Sequence, residues 1–584
     1  MDLRANIEKW EKELVADTAL QAELRALAQL DPAGFEDSFY RTLEFGTAGM
    51  RGILGIGTNR MNVHTVRQAT RGLALFIHDH LSRNPDEANN SVIIAYDSRD
   101  CSTAFAKEAA LVLCASGIRA LLFKKLCPVA MLSYAVRKQN AAAGICITAS
   151  HNPREYNGYK VYWNDGAQLP PEAAASVQSL ILQQSYAECA PMDEREAYGR
   201  GLLVAIWDDA FRSYKDHIKS LSIQPDLIKA YGQNLKIVYS PLYGSGMEPV
   251  CQVLGEMGIS PIIVAEQSEP DGAFPGIASP NPEDPGALRM ALDLAIRDDA
   301  DVCFGTDPDC DRLGVAVRVA PGEYKMLTGN QIGCLLLHYI LSAKAAKGLL
   351  PANGAAVKSI VSTNLARTIA EDYGVRMIDT LTGFKFIACE MQQMEETGDG
   401  TFLFGFEESM GFLSSDYIRD KDGVNASLLL AELALALKQN GTTLYGHLIS
   451  LYQTYGYVAE RNVSITYAGK DGKERMDAIM RELRAAPPAR MGGVPILAMR
   501  DYGRGPLGTR LQFTSSGTLS GELGASSDVL YFELLGGSWV CIRPSGTEPK
   551  IKLYINVHTR YEKKTSAETL ADTIQADAKV MMQA

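Results

Sequence analysis

The chain has 584 residues, of which 46% are hydrophobic and 22% charged, a composition typical of a globular protein with several cores. Its formal net charge of -12 argues against nucleic-acid binding, which usually goes with an excess of basic residues. The 11 cysteines include no Cys-x-x-Cys pair, so we expect reduced thiols in a cytoplasmic protein, with neither a disulfide framework nor a zinc site.

The N-terminal segment from Met1 to Leu14 is charged throughout and carries Leu3, Ile7 and Trp10 at helical spacing. This pattern predicts an amphipathic helix that packs on the body of the protein, and it excludes a secretory signal peptide. No run approaches the roughly 18 apolar residues that a membrane-spanning helix needs. We therefore expect no interaction with a membrane.

A strand and then a loop rich in Gly, Asp or Ser occur at residues 92–99, 235–244 and 356–364, and a helical stretch follows each of them. Strands that alternate with helices in this way predict three related α/β domains with mainly parallel sheets. Near residue 455 the pattern changes to short strands and a Gly-rich stretch, which predicts a smaller α+β C-terminal domain. We expect the domains to occupy residues 1–205, 206–322, 323–455 and 456–584.

Two local signals refine this scheme. Asn62 is placed to cap a helix, because Asn side chains accept hydrogen bonds from the first free N–H groups. The face of that helix is apolar, at Val66, Ala69, Leu73 and Ile77. The segment 269–285 holds five prolines and two glycines, so we expect an ordered loop there and no helix or strand.

The segment Thr148–Pro153 is the most informative part of the chain. It follows the apolar run 144–147, which predicts a buried strand, and its Asn-Pro pair predicts a sharp turn. Ser150 is thereby presented at the end of a strand beside His151, where a nucleophile is useful. The serine lacks the flanking glycines of the lipase-type elbow. On turn chemistry alone, an ordinary polar turn remains an equal explanation.

A second segment places three carboxylates at alternate positions after an apolar strand, at Asp307, Asp309 and Asp311. Alternate residues of an extended chain point the same way, so we expect these carboxylates to converge on a cation such as Mg²⁺. An EF-hand is excluded, because its sixth position must be glycine and this chain has Arg312. In phosphoaspartate phosphatases an Asp-x-Asp motif also follows a strand. Those enzymes have Thr or Val at the position where this chain has Asp311. A solvated acidic turn stays open as the simpler explanation.

A third segment, Gly405–Gly411, follows another apolar strand and carries Glu407 and Ser409 two residues apart. A carboxylate and a hydroxyl at this spacing can accept from and donate to neighbouring sugar hydroxyls. By itself, the segment is equally well explained as a surface loop.

A fourth segment, Arg543–Lys550, combines an arginine, two hydroxyl side chains and a glycine. These groups are suited to a phosphate, because the guanidinium binds it bidentately and the glycine N–H can approach closely. The chain contains no Walker-type Gly-Lys sequence, so nucleotide binding of the P-loop type is excluded.

Taken together, these loops resemble the motifs of the α-D-phosphohexomutase family. The resemblance extends over roughly residues 40 to 560, in the order expected for the family. It includes an opening motif at Phe45–Gly52, the serine loop extended by Asn157–Lys160, the Asp loop, Thr382–Lys385, the Glu407 loop and Arg543–Thr547. The resemblance implies four domains around a central cleft, with one principal motif from each.

The resemblance also implies roles for individual residues. Ser150 would carry a phosphoryl group as phosphoserine and, together with the three aspartates, would bind Mg²⁺. Arg51, Lys160 and His151 would act near the transferred group, with Lys160 in proton transfer. The remaining residues would bind substrate: Glu407, Ser409, Lys385, Thr382, Gly383, Arg312, Arg543, Ser545, Gly546 and Thr547.

The reaction that the resemblance implies converts glucose 1-phosphate and glucose 6-phosphate into each other through glucose 1,6-bisphosphate. Mannose phosphate and pentose phosphates remain alternative substrates, and a phosphosugar-binding protein without turnover remains a different class of function. One departure concerns Tyr417, which stands where some branches of the family carry histidine. The expected ligand is a phosphosugar, with no nucleic acid and no membrane as partner, and the expected assembly is a monomer or a dimer.

Overall fold

The computed structural model describes residues 3–15, 17–46, 49–467, 472–504, 509–510, 527–545 and 550–583. The chain divides into two compact units. The first comprises Met1–Thr328 and Ser409–Gly441, and the second comprises Gly329–Glu408 and Thr442–Ala584. Each helix within the described ranges is either too short or too polar to traverse a lipid bilayer.

The N-terminal part of the first unit contains eight helices and six strands within its described residues. In chain order these are α1 Leu3–Glu13, α2 Thr18–Leu30, α3 Pro32–Phe39, β1 Met50–Ile53, α4 Val63–Arg83, β2 Asn89–Tyr96, α5 Ser102–Ala115, β3 Arg119–Phe123, α6 Val129–Gln139, β4 Ala141–Ile147, β5 Tyr156–Trp163, α7 Pro171–Gln183, α8 Glu194–Gly199 and β6 Leu203–Ile206. The six strands form one sheet in the order β1-β5-β4-β2-β3-β6.

This first sheet is parallel through β4, β2, β3 and β6, as the sequence predicts, but its other edge is antiparallel. Strand β5 returns beside β4, and β1 lies antiparallel to β5. The consequence is that the serine loop, which connects β4 to β5, forms the end of a hairpin. All seven residues of β4 are buried, in agreement with the strand predicted at 144–147.

The next part of the first unit comprises α9 Asp208–Ser220, α10 Pro225–Tyr231, β7 Ile237–Ser240, α11 Met247–Met257, β8 Ile262–Ile263, α12 Arg289–Arg297, β9 Val302–Thr306, β10 Leu313–Ala320 and β11 Glu323–Met326. Its sheet has the order β11-β10-β9-β7-β8. Strands β10 and β11 pair as an antiparallel hairpin, so this sheet extends past the domain boundary expected after residue 322. The position of this domain boundary depends on the pairing of β11 with β10, and the pattern of apolar residues in β11 does not show that pairing.

The third stretch of chain contains α13 Gly329–Ala346, β12 Gly354–Ser359, α14 Leu365–Asp372, β13 Arg376–Thr380, α15 Phe384–Thr397, β14 Thr401–Glu407, β15 Gly411–Ser414 and α16 Gly423–Gln439. Strand β12 lies between β13 and β14, and both pairings are parallel. Strand β15 and helix α16 belong to the first compact unit, and the elements before them belong to the second.

The C-terminal stretch contains α17 Leu444–Tyr455, β16 Tyr457–Thr466, α18 Gly472–Ala485, β17 Arg490–Met491, β18 Val494–Asp501, β19 Thr509–Arg510, β20 Leu530–Leu534, β21 Trp539–Pro544, β22 Lys550–Thr559 and α19 Lys564–Gln583. Its sheet has the order β16-β22-β21-β20-β18-β17, with β19 beside β18, and every recorded pairing is antiparallel. The predicted change to α+β structure near residue 455 is therefore seen in the fold.

Two local predictions are confirmed by contacts. The Asn62 side chain accepts hydrogen bonds from the N–H groups of His64 and Thr65, and it completes a capping box at the start of α4. The four apolar residues predicted on the face of α4 are all 0% exposed. The segment 269–285 contains no helix or strand, as its prolines indicate.

The N-terminal amphipathic helix is present as α1, and α2 and α3 follow it without having been predicted. Trp10 of α1 is fully buried, in edge contact with Phe39 of α3 at 5.9 Å and with His64 of α4 at 5.5 Å. Burial, with a smaller contribution from Arg67, lowers the pKa of His64 from 6.5 to about 4. His64 is thus neutral in the fold at pH values where an exposed histidine is partly charged.

This pKa difference predicts how stability depends on pH. Between about pH 4 and 6.5 the unfolded chain binds more protons at His64 than the folded chain, so stability falls as the pH drops through this range. We expect His64→Gln to reduce the difference in melting temperature between pH 7.5 and pH 5. His78→Gln, at an exposed histidine of the same helix, is the control for the substitution of histidine by glutamine itself. An equal pH dependence in wild type and His64→Gln would contradict the prediction.

Candidate active site

The serine loop is a turn with a left-handed residue at its centre. Ser150 has φ of 53°, a conformation that costs an L-amino acid about 1–2 kcal/mol. The turn closes with a hydrogen bond from Asn152 N–H to Ala149 C=O at 3.1 Å, and Ser150 N–H donates to the hydroxyl of Thr148 at 2.8 Å. The predicted turn is thus present. Because its left-handed conformation is strained, contacts with the surrounding structure must stabilise it.

The hydroxyl of Ser150 faces the Asp loop. It donates to Asp307 Oδ2 at 2.6 Å, and His151 Nδ1 lies 3.1 Å from it. Ser150 is only 3% exposed and Asp307 is fully buried. The fold therefore joins two motifs that lie 157 residues apart in the sequence.

The three aspartates converge as predicted, but a turn brings them together and not an extended strand. Strand β9 ends at Thr306, Cys310 N–H donates to Asp307 C=O at 2.8 Å, and Cys310 has φ of 53°. The N–H groups of Asp311 and Arg312 then both donate to Asp307 Oδ1 at 3.1 Å. The alternate spacing predicted the cluster correctly, but the strand does not continue through it, so the extended geometry that we expected is wrong.

The backbone of the Asp loop is held from several sides. The C=O of Asp309 accepts from Val129 N–H at the start of α6, and that of Cys310 accepts from Gly423 N–H at the start of α16. Ser245 donates to the C=O of Pro308 through both its N–H and its hydroxyl. Because each carbonyl is fixed by a different element, the loop does not need to reorganise to present its carboxylates.

The donor set of this loop fits a hard cation. Asp307, Asp309 and Asp311 each offer one carboxylate oxygen within 4.8 Å of the others, and it is the one such cluster found among the described residues. Oδ1 of Asp309 and Oδ1 of Asp311 are buried and accept no hydrogen bond from any described residue. Buried carboxylate oxygens without donors are costly, and a divalent cation with oxygen ligands relieves that cost.

Lys160 reaches the Asp loop from β5. Its Nζ donates to Asp309 Oδ2 at 2.6 Å and lies 3.5 Å from Asp311 Oδ2. Burial acts to lower the pKa of Lys160, but the charges of Asp309 and Asp311 outweigh it and raise the pKa above its ordinary value. The structure thus brings the predicted Lys160 to the predicted cluster.

A second lysine, Lys421, was missed by the sequence analysis. Its Nζ lies 3.3 Å from Asp311 Oδ2 and donates to Asp420 Oδ1 at 2.8 Å, and Asp420 in turn accepts from Tyr162 at 2.8 Å. Burial acts to raise the pKa of Asp311, but Lys421 and Lys160 lower it below the usual range. The sequence signal was a run of four charged residues, 419–422, directly before the apolar helix α16. Such a run usually indicates a solvated surface, and here all four residues are buried.

The other predicted residues of the first unit lie around the same loops. Arg51 on β1 donates to the side-chain oxygen of Asn152 at 3.1 Å, so it reaches the serine loop. Arg312 forms an ion pair with Glu283 at 3.1 Å and pairs through its backbone with Gly411. Ser409 is partly buried, two residues before that pairing.

Tyr417 is held within the fold by a hydrogen bond from its hydroxyl group. It is 9% exposed, and its hydroxyl donates to Asp422 Oδ2 at 2.6 Å, which also accepts from Tyr214 at 2.8 Å. Burial and the neighbouring Asp422 raise the pKa of Tyr417 well above its ordinary value. Asp422 itself caps α16. The geometry gives Tyr417 an anchoring contact at the start of α16.

In the second unit, Glu407 and the loop before α15 are joined by a hydrogen bond. Gly383 N–H donates to Glu407 Oε1 at 2.8 Å, and Gly383 has φ of 122°, which favours glycine. The hydroxyl of Thr382 is buried and has no hydrogen-bond partner among the described residues. The two predicted sugar-binding segments thus lie together.

Lys385 and Arg543 act on each other electrostatically within the same unit. Burial lowers the pKa of Lys385, and the charge of Arg543 lowers it further. Burial and Glu407 raise the pKa of Glu408, and Lys552 and Arg543 oppose that rise. Ser545 follows β21, and its N–H donates to Lys550 C=O at 2.8 Å. The predicted Gly546 and Thr547 lie outside the described residues.

Comparisons with known proteins agree with this arrangement. Residues 42–188 match the family model described as "Phosphoglucomutase/phosphomannomutase, alpha/beta/alpha domain I". The models for alpha/beta/alpha domains II and III of the same family match residues 212–320 and 328–455, and the model for its C-terminal domain matches residues 517–573. The predicted fold class of three α/β domains and a different C-terminal domain is confirmed.

Two curated relatives are both named phosphoglucomutase. The one from Staphylococcus epidermidis is 35% identical over 524 residues, which cover 89% of this chain and 92% of the relative. The one from Staphylococcus aureus strain bovine RF122 is 36% identical over 529 residues, which cover 89% of this chain and 90% of the relative.

A solved structure supports the fold alone. The crystal structure of the phosphoglucomutase parafusin from Paramecium, in an open form, superposes with a TM-score of 0.67 at 17% identity and covers 93% of this chain and 95% of its own. The four matched domains and the two curated relatives carry the assignment. The chain therefore belongs to the phosphoglucomutase/phosphomannomutase family and is an enzyme of the mutase class.

Proposed function

We propose that this enzyme is a phosphoglucomutase that interconverts glucose 1-phosphate and glucose 6-phosphate, with Ser150 as the phosphoryl carrier. The observation that carries the proposal is the hydrogen bond of 2.6 Å from the Ser150 hydroxyl to Asp307, in a cluster that also contains Lys160. It places a nucleophile beside a carboxylate and next to fixed positive charge. That is what phosphoryl transfer to and from a hydroxyl requires.

The chemistry consists of two transfers in opposite directions. Phosphoserine 150 gives its phosphoryl group to a free hydroxyl of the sugar monophosphate, so that one P–O bond breaks, another forms, and glucose 1,6-bisphosphate results. The bisphosphate then reorients within the site, and its other phosphoryl group is transferred back to Ser150. We assign the contacts with the transferring phosphoryl group, and the handling of the proton of the reacting hydroxyl, to Lys160, Arg51 and His151.

Asp307, Asp309 and Asp311, with Ser150, would hold Mg²⁺, which would supply positive charge to neutralise the phosphoryl oxygens. The two buried carboxylate oxygens without hydrogen bonds support this assignment. Glu407 and Ser409 would recognise sugar hydroxyls, together with Thr382, Gly383, Lys385 and Arg312. Arg543, Ser545, Gly546 and Thr547 would hold the phosphate that is not reacting.

Membership of the family does not determine whether the substrate is a glucose, mannose or pentose phosphate, because these sugars share vicinal hydroxyls. The curated relatives support glucose, since both are named phosphoglucomutase. A coupled assay of the purified protein with glucose, mannose, ribose and glucosamine phosphates tests the choice. We expect the highest kcat/KM with glucose 1-phosphate. A higher value with another sugar would change the substrate, and no turnover with any would favour a phosphosugar-binding protein.

Arg543→Lys tests the role of the phosphate loop. The substitution keeps the charge but loses the bidentate fork, so we expect KM for glucose 1-phosphate to rise roughly tenfold, the effect of about 1.4 kcal/mol of lost binding. Folding and phosphorylation of Ser150 should stay intact. Arg500→Lys is the matched control, because Arg500 lies on β18 of the same sheet and pairs with Glu533 at 2.7 Å. An unchanged KM in Arg543→Lys would remove Arg543 from the binding site.

Further properties follow as proposals. We place domain boundaries near residues 206, 328 and 455, which keeps the hairpin of β10 and β11 within the second domain. We also propose a cytoplasmic enzyme, and the observation that all eleven cysteines are free thiols supports it. A phosphosugar is its proposed ligand, and a monomer or dimer its proposed assembly.

A further inference from the structure

Arg99 lies beneath the serine loop and binds its backbone. The guanidinium of Arg99 donates to four carbonyl groups of the loop, those of Ser150 at 2.5 Å, Asn152, Pro153 at 2.9 Å and Tyr156 at 3.1 Å. Arg99 is 3% exposed. A buried guanidinium is costly unless its donors are satisfied, and the four carbonyl groups satisfy the donors of its two terminal nitrogens, whereas Nε has no hydrogen-bond acceptor among the described residues.

Asp97 connects Arg99 to the other side of the same turn. Asp97 Oδ2 lies 3.3 Å from Arg99 Nε and accepts from the hydroxyl of Thr148 at 2.6 Å. The hydroxyl oxygen of Thr148 in turn accepts from Ser150 N–H at 2.8 Å. The N–H of Ser150 is therefore held through Thr148 and Asp97, and its C=O is held directly by Arg99.

The loop at 269–285 covers Arg99 from outside. The ring of Phe274 lies over the guanidinium, with 5.0 Å between its centroid and Arg99 Cζ. A Cβ atom on Gly272 would lie 2.4 Å from the backbone nitrogen of Asp100, so only glycine permits this close approach. Ser279 donates to His151 C=O at 3.0 Å, so the same loop also holds the serine turn. The Pro-rich segment thus has a structural role that its sequence does not reveal.

We propose that Arg99 is a positioning residue, which holds Ser150 in its left-handed conformation so that its hydroxyl points at Asp307. The inference rests on the proposed role of Ser150. Arg99 contacts the loop backbone and neither the serine hydroxyl nor any Asp-loop oxygen at hydrogen-bonding distance among the described contacts, so it acts through the turn. Loss of the guanidinium of Arg99 should therefore misplace the Ser150 hydroxyl without weakening the binding of the sugar phosphate.

The test compares wild type, Arg99→Lys and Arg137→Lys. A lysine at position 99 keeps the positive charge. Its ammonium group has three donors and lacks the planar fork of a guanidinium, so it cannot bind the four carbonyl groups. Arg137 is the matched control, since it donates to a backbone carbonyl of the same domain, that of Asp165 at 2.9 Å. For Arg99→Lys we expect kcat to fall about 100-fold, as for a nucleophile misplaced by about 1 Å, and KM for glucose 1-phosphate to stay within about twofold. Arg137→Lys should behave like wild type.

Two further measurements separate positioning from a loss of folding. Phosphorylation of Ser150 by glucose 1,6-bisphosphate, followed by intact mass, should slow in Arg99→Lys in step with kcat. The ³¹P resonance of the phosphoserine should broaden or split, because the turn no longer has one conformation. If Arg99→Lys fails to fold, Gly272→Ala carries the same test, because the added Cβ displaces the loop whose Phe274 holds the guanidinium of Arg99 in place, while the charge of Arg99 beside Asp97 is kept.

The outcomes are distinguishable. A folded Arg99→Lys, or Gly272→Ala in its place, with wild-type kcat and labelling rate would overturn the positioning role and leave the proposed function intact. A raised KM with unchanged kcat would also overturn it. If wild-type Ser150 accepts no phosphoryl group, the proposed function fails and the inference fails with it.

Discussion

Replacing Ser150 with alanine should reduce mutase turnover by roughly 10⁴- to 10⁶-fold, the range seen when a nucleophile is removed. The reason is that the Ser150 hydroxyl is the atom that carries the phosphoryl group between the two transfers. The alanine has no such atom, and no other described hydroxyl has a recorded hydrogen bond to Asp307. Intact mass should show that wild type gains about 80 Da on incubation with glucose 1,6-bisphosphate and that Ser150→Ala does not.

The control for this prediction is another buried serine in the same domain. Ser133 is fully buried, donates to Gly166 C=O at 2.7 Å and accepts from Arg419 N–H at 3.1 Å. Ser133→Ala should cost about 1–3 kcal/mol of stability through the lost hydrogen bonds, yet retain turnover and the mass increase. If Ser150→Ala kept normal turnover, the phosphoserine mechanism would have to be abandoned.

The Asp309→Asn substitution should lower kcat by roughly 10²- to 10⁴-fold, in the range reported for the loss of one group that stabilises charge in a transition state. It removes one charge from the proposed cation site with little change in shape. It also removes the nearest anion from Lys160, whose Nζ lies 2.6 Å from Asp309 Oδ2. The affinity for Mg²⁺, measured by titration of the purified protein, should fall together with kcat.

Asp299→Asn is the control, because Asp299 lies in the same domain and forms an exposed ion pair with Arg318. Its activity and Mg²⁺ affinity should match wild type, since solvent screens an exposed ion pair and such a pair contributes little. A thermal melt of Asp309→Asn separates loss of function from loss of folding, because a buried lysine that loses the nearer of its two carboxylates destabilises the fold. Full activity of wild type in excess chelator would contradict the cation site.

The parts of the site that the sequence predicts are those whose chemistry is local. An apolar run followed by Asn-Pro predicts the strand and turn around Ser150, and both are present. Three aspartates at alternate positions predict a carboxylate cluster, and the cluster is present. The cap of α4 at Asn62 was predictable for the same reason, since a capping side chain binds backbone within three residues.

The residues that the sequence does not reveal are buried charges whose partners lie far away along the chain. Arg99 binds the carbonyl of Ser150 across 51 residues, and Lys421 binds Asp311 across a gap of more than a hundred. In isolation each looks like a charged residue in a polar loop. Only the fold shows that each is buried, and burial is what makes its partner necessary.

The sequence by itself determined which segments carry the chemistry and that the chain alternates strands with helices, because composition, turn residues and apolar periodicity are properties of neighbouring residues. The tertiary structure decided the antiparallel edge of the first sheet, the turn that gathers the aspartates and the anchoring of Tyr417 on Asp422. It also decided which charges lie beneath the serine loop. These features depend on which strand pairs with which and on what each buried polar group finds to bind, and both are set only when distant segments meet.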